Sequence, residues 1–289
     1  MLIDARNAVY RAVYAGAASA GPLPTKDDFC VIFFRFISDY IHRFQPEAIH
    51  LFWDAPKATI WRRGIFAGYK DGRDPTHGGK YPVNIDEVVE RACTICKEIV
   101  AVANTRNFAR ERQEADDLIY AFCRLHRHQK LVIISNDGDF KQIPFLFNNV
   151  DLYSPLGKNP GIQAIPEIDP VEMKCFTGDV SDNVRGYSQI GPARAPALIF
   201  DNKKRQQFFE MRGAEIYVRN RALVDLTLCP FVLHNISYIQ EVMAIDPVFD
   251  LQQIRMIIQK YRVRSLGGEI SSSILPFKFT GAKPTGVEA

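Results

Sequence analysis

Residues 131–140 read LVIISNDGDF. The run Leu131 to Ser135 is apolar enough to be a strand buried on both faces, and Asp137 and Asp139 follow it at once. In an open parallel sheet the carboxyl ends of the strands form the edge where ligands bind. Two other runs end in the same way. Ala48 to Trp53 (AIHLFW) leads into Asp54, and Met1 to Ile3 leads into Asp4. Helical text lies between and after them, at 5–17, 27–44, 84–101 and 114–126. Strands alternating with helices predict an α/β fold class, with a mainly parallel sheet flanked by helices.

The second half of the chain changes character. Residues 156–166 are rich in Gly and Pro and read as a connection, after which Asp169-Pro170 suits a helix start. Residues 180–200, VSDNVRGYSQIGPARAPALIF, read as helix, glycine-bearing turn, helix, and further helices are expected around 203–226 and 250–262. The expected organisation is an α/β domain over 1–168, a helical subdomain over 169–266 and a flexible Gly/Ser/Pro-rich tail over 267–289. Within that tail, ILPFKF (274–279) is an apolar island, read either as a dock for a replication protein or as packing back onto the helical part.

More acids join those at the strand ends. QEADDLIYAF (113–122) carries Glu114, Asp116 and Asp117 at a helix start, and FTGDVSDN (176–183) carries Asp179 and Asp182. Acids suit a helix N-terminus, where the backbone dipole is positive, so each group alone has an ordinary explanation. Together, so many carboxylates on one edge are mutually destabilising unless cations neutralise them. An oxygen-only donor set, without His or Cys, selects hard ions such as Mg2+ or Mn2+. Two such ions about 4 Å apart suit in-line phosphoryl transfer.

The charge balance then takes on meaning. The chain of 289 residues has 36 Lys and Arg against 33 Asp and Glu. With the nine clustered acids set aside, the remainder carries +12, which suits a polyanionic substrate. Basic residues gather at Arg62, Arg63, Lys70 and Arg73, and again at Lys203, Lys204, Arg205, Arg219 and Arg221.

Several chemistries are excluded. No apolar run approaches the length of a membrane span, and no basic leader precedes a long apolar core. Six cysteines in or beside apolar runs suggest reduced thiols and a cytoplasmic setting. Cys93 and Cys96 sit in helical text without a second pair at zinc spacing, and His126 and His128 end a helix. No Ser or Cys nucleophile has a convincing His partner.

Ordered motifs from residue 2 to about 266 resemble the 5′-nuclease superfamily of flap endonucleases, the 5′-nuclease domain of bacterial DNA polymerase I and the bacteriophage 5′–3′ exonucleases. They are LIDARNAVYRA, FWDAP, RRGIFAGYKDGR, EADD, SNDGDF, GDVSDNVRGYSQIGPARA, VRNRALVDL and QKYRVRSL. The resemblance implies a PIN-like domain with an arch at about 64–90, and a helical subdomain with a helix–three-turn–helix at about 184–199. It assigns Asp4, Asp54, Glu114 and Asp116 to a first metal site. Asp117, Asp137, Asp139, Asp179 and Asp182 belong around a second, with Asp116 near both. Lys70 and Arg73 would meet the scissile phosphate, and catalysis would depend on them with Asp116 and Asp137. Arg62, Arg63, Tyr69, Gly186, Gly191 and Arg194 are the expected nucleic-acid contacts, Tyr69 through stacking.

The implied function is a divalent-metal-dependent 5′–3′ exonuclease and flap endonuclease, monomeric, acting on DNA with 5′ flaps, nicks or free 5′ ends, RNA–DNA primers included. Its cofactors would be two Mg2+, replaceable by Mn2+, with K+ at the helix–three-turn–helix. Gln189 stands where relatives often have glycine, so a changed turn is expected there, and Pro196 predicts a kink in the second helix of the motif. The alternatives are a PIN-like ribonuclease on single-stranded RNA and a catalytically inactive DNA-structure-binding protein.

Overall fold

The computed structural model describes residues 1–19, 28–72, 84–156 and 160–280. Its main sheet is built from β1 (Leu2–Asp4), β2 (His50–Trp53), β3 (Arg106–Ala109), β4 (Leu131–Ile134), β5 (Val150–Ser154) and β6 (Gly161–Ile162). The order is β3-β2-β1-β4-β5-β6, parallel except for the short edge strand β6. β1 lies at the centre, pairing Leu2 with His50 on one side and with Ile133 on the other. That register aligns the carboxyl ends of β1, β2 and β4, the three strands followed by Asp. Leu2, Ile3, Leu51, Phe52, Ile133 and Ile134 are fully buried, as strands covered on both faces require.

The covering helices are α1 (Ala5–Ser19), α2 (Asp28–Phe44), α3 (Ile85–Val100), α4 (Ala115–Leu125) and the short α5 (Gln142–Leu146). α1, α2 and α3 share one core with Ile3, Leu51 and Trp53, while α4 packs on the other face against Leu2, Phe52 and Ile133. α3 starts cleanly because the Asn84 side chain accepts from the backbone N–H of Asp86 and Glu87, with both acids in the positive first turn. Cys93 and Cys96 lie on this helix, as expected.

The second half contains α6 (Pro170–Thr177), the hairpin β7 (Gly178–Asp179) and β8 (Val184–Arg185), α7 (Ala195–Phe200), α8 (Asn202–Arg212) and α9 (Glu215–Val224). The expected helix over the first part of 180–200 is therefore wrong. The leading helix is α6, and β7–β8 and turns separate it from α7. Glycines explain the tight hairpin. A Cβ on Gly178 would lie 2.3 Å from the Gly186 nitrogen, and one on Gly186 would lie 2.2 Å from the Thr177 carbonyl carbon. Gln189 takes the left-handed conformation usually left to glycine, at φ 65°. Pro196 falls in the first turn of α7, where its missing N–H costs nothing, so the expected kink is also wrong.

α10 (Val232–Met243), α11 (Leu251–Tyr261) and α12 (Arg264–Gly268) return to the first domain. α10 was not anticipated. It packs against α4, while Ile254, Ile258 and Leu266 enter the core built on α1–α3. The physical helical subdomain is thus α6–α9, held by a cluster around Phe176, while Cys175 belongs to a cluster shared with Ile60 and Tyr69 of the first domain. Residues 267–280 are not a flexible tail. Ile274 and Phe277 are fully buried, Ser38 Oγ donates to Ser272 O at 3.0 Å, and Asn104 Nδ2 donates to Phe277 O at 2.9 Å. The reading of 274–279 as a free docking segment is corrected with it, and the packing is onto α2 rather than the helical subdomain. Residues 281–289 lie outside the described residues. Among the described residues no helix is long and apolar enough to cross a membrane.

Candidate metal centre

Asp4 ends β1 and is buried. Its Oδ1 accepts the Asn7 backbone N–H at 3.1 Å and its Oδ2 accepts from Ser135 Oγ at 3.2 Å. The same Ser135 hydroxyl accepts the Asp137 N–H at 3.1 Å, so one small side chain sets two acids side by side. Asp54, just past β2, accepts the Ala115 N–H at 2.7 Å, which locks it to the start of α4. Burial, then Asp54 and Asp137, push the Asp4 carboxyl up to about 8. Burial, then Asp139, raise Asp137 to about 6. Asp4, Asp54 and Asp137, with Arg6, Tyr10, Lys70 and Glu114, line a cleft of about 140 Å³.

Glu114 caps α4 through a capping box in which its side chain and that of Asp117 exchange bonds with each other's backbone. Lys70 Nζ is ion-paired with Glu114 and lies 3.8 Å from Asp182, and Tyr69 OH lies 3.1 Å from Glu114 and 2.8 Å from Asp182. Burial would raise the Glu114 pKa, but Lys70 and Arg62 outweigh it and hold this carboxyl at about 2. Asp116 is raised, chiefly by burial, and its Oδ1 is buried without a hydrogen-bond partner.

A second group of acids stands beside the first. One carboxylate oxygen from each of Asp139, Asp179 and Asp182 lies within 4.8 Å of the others. Lys174 of α6 is ion-paired with Asp139 and lies 2.5 Å from Asp179. Each acid group therefore gathers round an ammonium, Lys70 in one and Lys174 in the other. Carboxylates with raised pKa, an Asp116 oxygen that has no hydrogen-bond partner and lies 3.7 Å from Arg62, and an all-oxygen donor set fit hard divalent cations.

Three expected residues sit elsewhere in the architecture. Asp117 is fully buried and faces away from the cleft. Arg62 grips it through Nη2 at 2.8 Å and Nη1 at 3.1 Å, and Trp61 Nε1 donates to it at 2.9 Å. Placing it at the second metal site is therefore corrected, because its oxygens are committed. Arg62, 1% exposed, also donates to Glu114 at 2.7 Å and to the Leu223 carbonyl at 2.8 Å, so it is no surface contact for nucleic acid. Tyr69, 2% exposed, spends its ring in the core and its hydroxyl on the acids, which removes it as a stacking platform.

Arg63 is ion-paired with Asp71 at 2.8 Å and donates to Tyr69 O. Arg194 is exposed and donates to Gln189 O at 3.2 Å, Gly186 is a packing glycine, and the Gly191 carbonyl accepts from Arg194 and Ala195 at the start of α7. Arg73 lies outside the described residues, as does most of the expected arch. Sequence reading missed Lys174, Ser135 and Gln142. Gln142 Nε2 donates to Asp139 O and Val224 O, each at 3.0 Å, tying the second acid group to α9. Ser135 directly precedes Asn136 and the Asp pair, and that place was its one available signal.

Residues 1–172 match the family model described as 5′-3′ exonuclease, N-terminal resolvase-like domain. The chain belongs to this 5′–3′ exonuclease family. A 5′–3′ exonuclease of Halalkalibacterium halodurans is 30% identical over 180 residues, which is 58% of this chain and 56% of that protein. DNA polymerase I of Lactococcus lactis subsp. cremoris is 24% identical over 73% of this chain but only 25% of its own length. The matches therefore span between a quarter and just over half of these relatives. Among solved structures, bacteriophage T5 5′-exonuclease with bound zinc superposes at a TM-score of 0.62 with 18% identity, covering 90% of this chain and 98% of that one. That likeness places this family member's fold, helical part included, with the phage exonuclease.

Proposed function

We propose that this protein is a divalent-metal-dependent phosphodiesterase, a 5′–3′ exonuclease and flap endonuclease that hydrolyses DNA at 5′ ends, flaps and nicks. The observation that carries this reading is the convergence of Asp4, Asp54, Asp137 and Glu114 on one cleft around Lys70, beside the triad Asp139, Asp179 and Asp182. Two ions would fit this supply of oxygens, with Asp4, Asp54, Glu114 and Asp116 to hold one and Asp137, Asp139, Asp179 and Asp182 to hold the other. When bound, such ions supply Lewis-acid charge and make water acidic enough to be a nucleophile near neutral pH.

The protein's own groups do the rest. Ser135 and the start of α4 fix the carboxylates before substrate arrives, so little reorganisation is needed at the moment of reaction. Lys70, ion-paired with Glu114 at the cleft, is placed to offset charge developing on the scissile phosphate, with Arg73 as its expected partner. Exposed Arg185, Arg194, Lys203 and Lys204 around α7 and α8 give the helical subdomain a cationic face for duplex phosphates. Relatives support the substrate class by name. One is a flap endonuclease Xni of Shewanella woodyi, 24% identical over 54% of this chain, and a T5 flap endonuclease structure contains DNA and metal ions.

The test uses labelled 5′-flap DNA, nicked duplex and single-stranded RNA with Mg2+ or EDTA. Mg2+-dependent cutting of the DNA substrates is expected. Cutting of RNA alone indicates the ribonuclease alternative, and no cutting of any substrate indicates an inactive DNA-structure-binding protein.

A further inference from the structure

A second cavity of about 240 Å³ adjoins the metal cleft and shares Arg6 and Asp54 with it. Arg6 lines both spaces. Its Nη2 lies 2.7 Å from Glu90, its guanidinium is 5.6 Å from the Tyr10 ring, and its Nε is 4.0 Å from Asp54. The far wall is α3, with Cys93, Thr94 and Lys97, and the near wall is Trp53 and Pro56 at the end of β2. Lys97 is exposed, stands over the Trp53 ring at 5.9 Å, and makes no ion pair among the described residues. Burial pushes the Cys93 thiol up to about 12, so it stays neutral and adds no competing anion.

The cavity's place in the fold gives it a direction. The second acid group and α6 attach at the end of β4, while this cavity attaches at the end of β2, with Asp4 of β1 between them. A strand whose duplex part rests on the helical subdomain would run across the acids towards Arg6 and Lys97. Its 5′ terminus would arrive there. The charge balance agrees, because Arg6 already matches Glu90 and bound cations would match Asp54, leaving Lys97 without an anion. A terminal phosphate monoester carries close to two charges and three acceptor oxygens, more than an internal diester offers.

We propose that the cavity between Arg6 and Lys97 is a binding site for the 5′-terminal phosphate of the strand being cut, and that it favours phosphorylated over hydroxyl 5′ ends. This rests on the nuclease reading above. The test compares two duplexes with a one-nucleotide 5′ flap, identical except for a 5′-phosphate or a 5′-hydroxyl, in Mg2+. KM is expected to be about five- to tenfold lower for the phosphate. In Lys97→Ala the ratio falls to near one, whereas Lys130→Ala, a surface lysine paired with Asp151, keeps it.

Fluorescence anisotropy with the same two ends in Ca2+, a divalent ion for the acids that does not support cutting, reads the preference without cleavage, so it holds even if turnover is absent. Equal KM and equal binding for the two ends, or a ratio unchanged in Lys97→Ala, overturns the pocket while leaving the nuclease reading intact. Failure to cut either end with Mg2+ overturns the nuclease reading, and the anisotropy ratio then decides the pocket alone.

Discussion

Arg62 Nη2 stands 2.8 Å from Asp117 Oδ1 in a setting where neither side chain reaches solvent, and the same guanidinium holds Glu114. A charged pair taken out of water is stable only if its donors and acceptors are well matched, and here four of the five guanidinium N–H groups find acceptors while both Asp117 oxygens are bonded. The pair fixes the Glu114 carboxylate without touching the cleft, and through the Leu223 carbonyl it fastens the helical subdomain to it.

Arg62→Ala should therefore cost about 3–5 kcal/mol, because Asp117 would be left buried with only neutral donors and Glu114 would lose one of its two cationic partners. Arg62→Lys should recover little of this, since an ammonium cannot make the planar fork to Asp117. Denaturant unfolding of the three proteins checks it. Wild-type stability in Arg62→Ala would mean that this pair holds nothing.

Removing divalent ions should make stability depend on pH in a definite direction. Asp4 and Asp137 are raised from 3.8 to about 8 and about 6. Folding then binds protons at these sites, so their contribution is fully present below about pH 4 and is lost as pH rises through about 6 to 8. Glu114 is depressed from 4.5 to about 2, so its contribution is lost only at lower pH and does not change in this window. Thermal melts in EDTA should show Tm falling from about pH 5 to 8, and saturating Mg2+ should remove the slope. A flat or rising Tm in EDTA would contradict the raised pKa of these acids.

Asp137→Asn separates activity from stability. The amide keeps an oxygen for the Asp139 N–H but removes a charge that burial and Asp139 disfavour. Cleavage should slow by about a hundredfold or more while the metal-free protein becomes more stable at pH 8. Single-turnover assays and melts in EDTA are the two measurements. Near-normal turnover would remove Asp137 from the site.

Phe277→Ala addresses the C-terminal segment. Phe277 is fully buried with its ring edge-on to Phe34 at 5.9 Å, so truncation should cost about 3–5 kcal/mol. An unchanged unfolding curve would restore the picture of a loose tail.

The sheet and its acidic edge were legible because strand burial and Asp at strand ends both leave marks in the sequence. LVIISNDGDF shows its strand and its two acids within ten residues. Asp117 was misplaced because neighbouring acids at a helix start look alike, and only the fold reveals that Arg62 claims one of them. Arg62 and Tyr69 were read as substrate contacts since a basic or aromatic residue near a site looks the same whether it faces solvent or the core. Lys174 was invisible for a related reason, as its meeting with Asp139 depends on how α6 docks. The segment 267–280 misled through its composition, because Gly and Ser say nothing of Ile274 and Phe277 finding a groove on α2.

The central position of β1 bears on how the molecule is made. Leu2 finds one neighbour at His50 but the other only at Ile133. Pairing across such a separation closes a long loop, a slow and entropically costly event. A nascent chain therefore cannot bring Asp4 beside Asp137 until β4 has left the ribosome. The acidic cluster is thus assembled in one late step rather than growing with chain length.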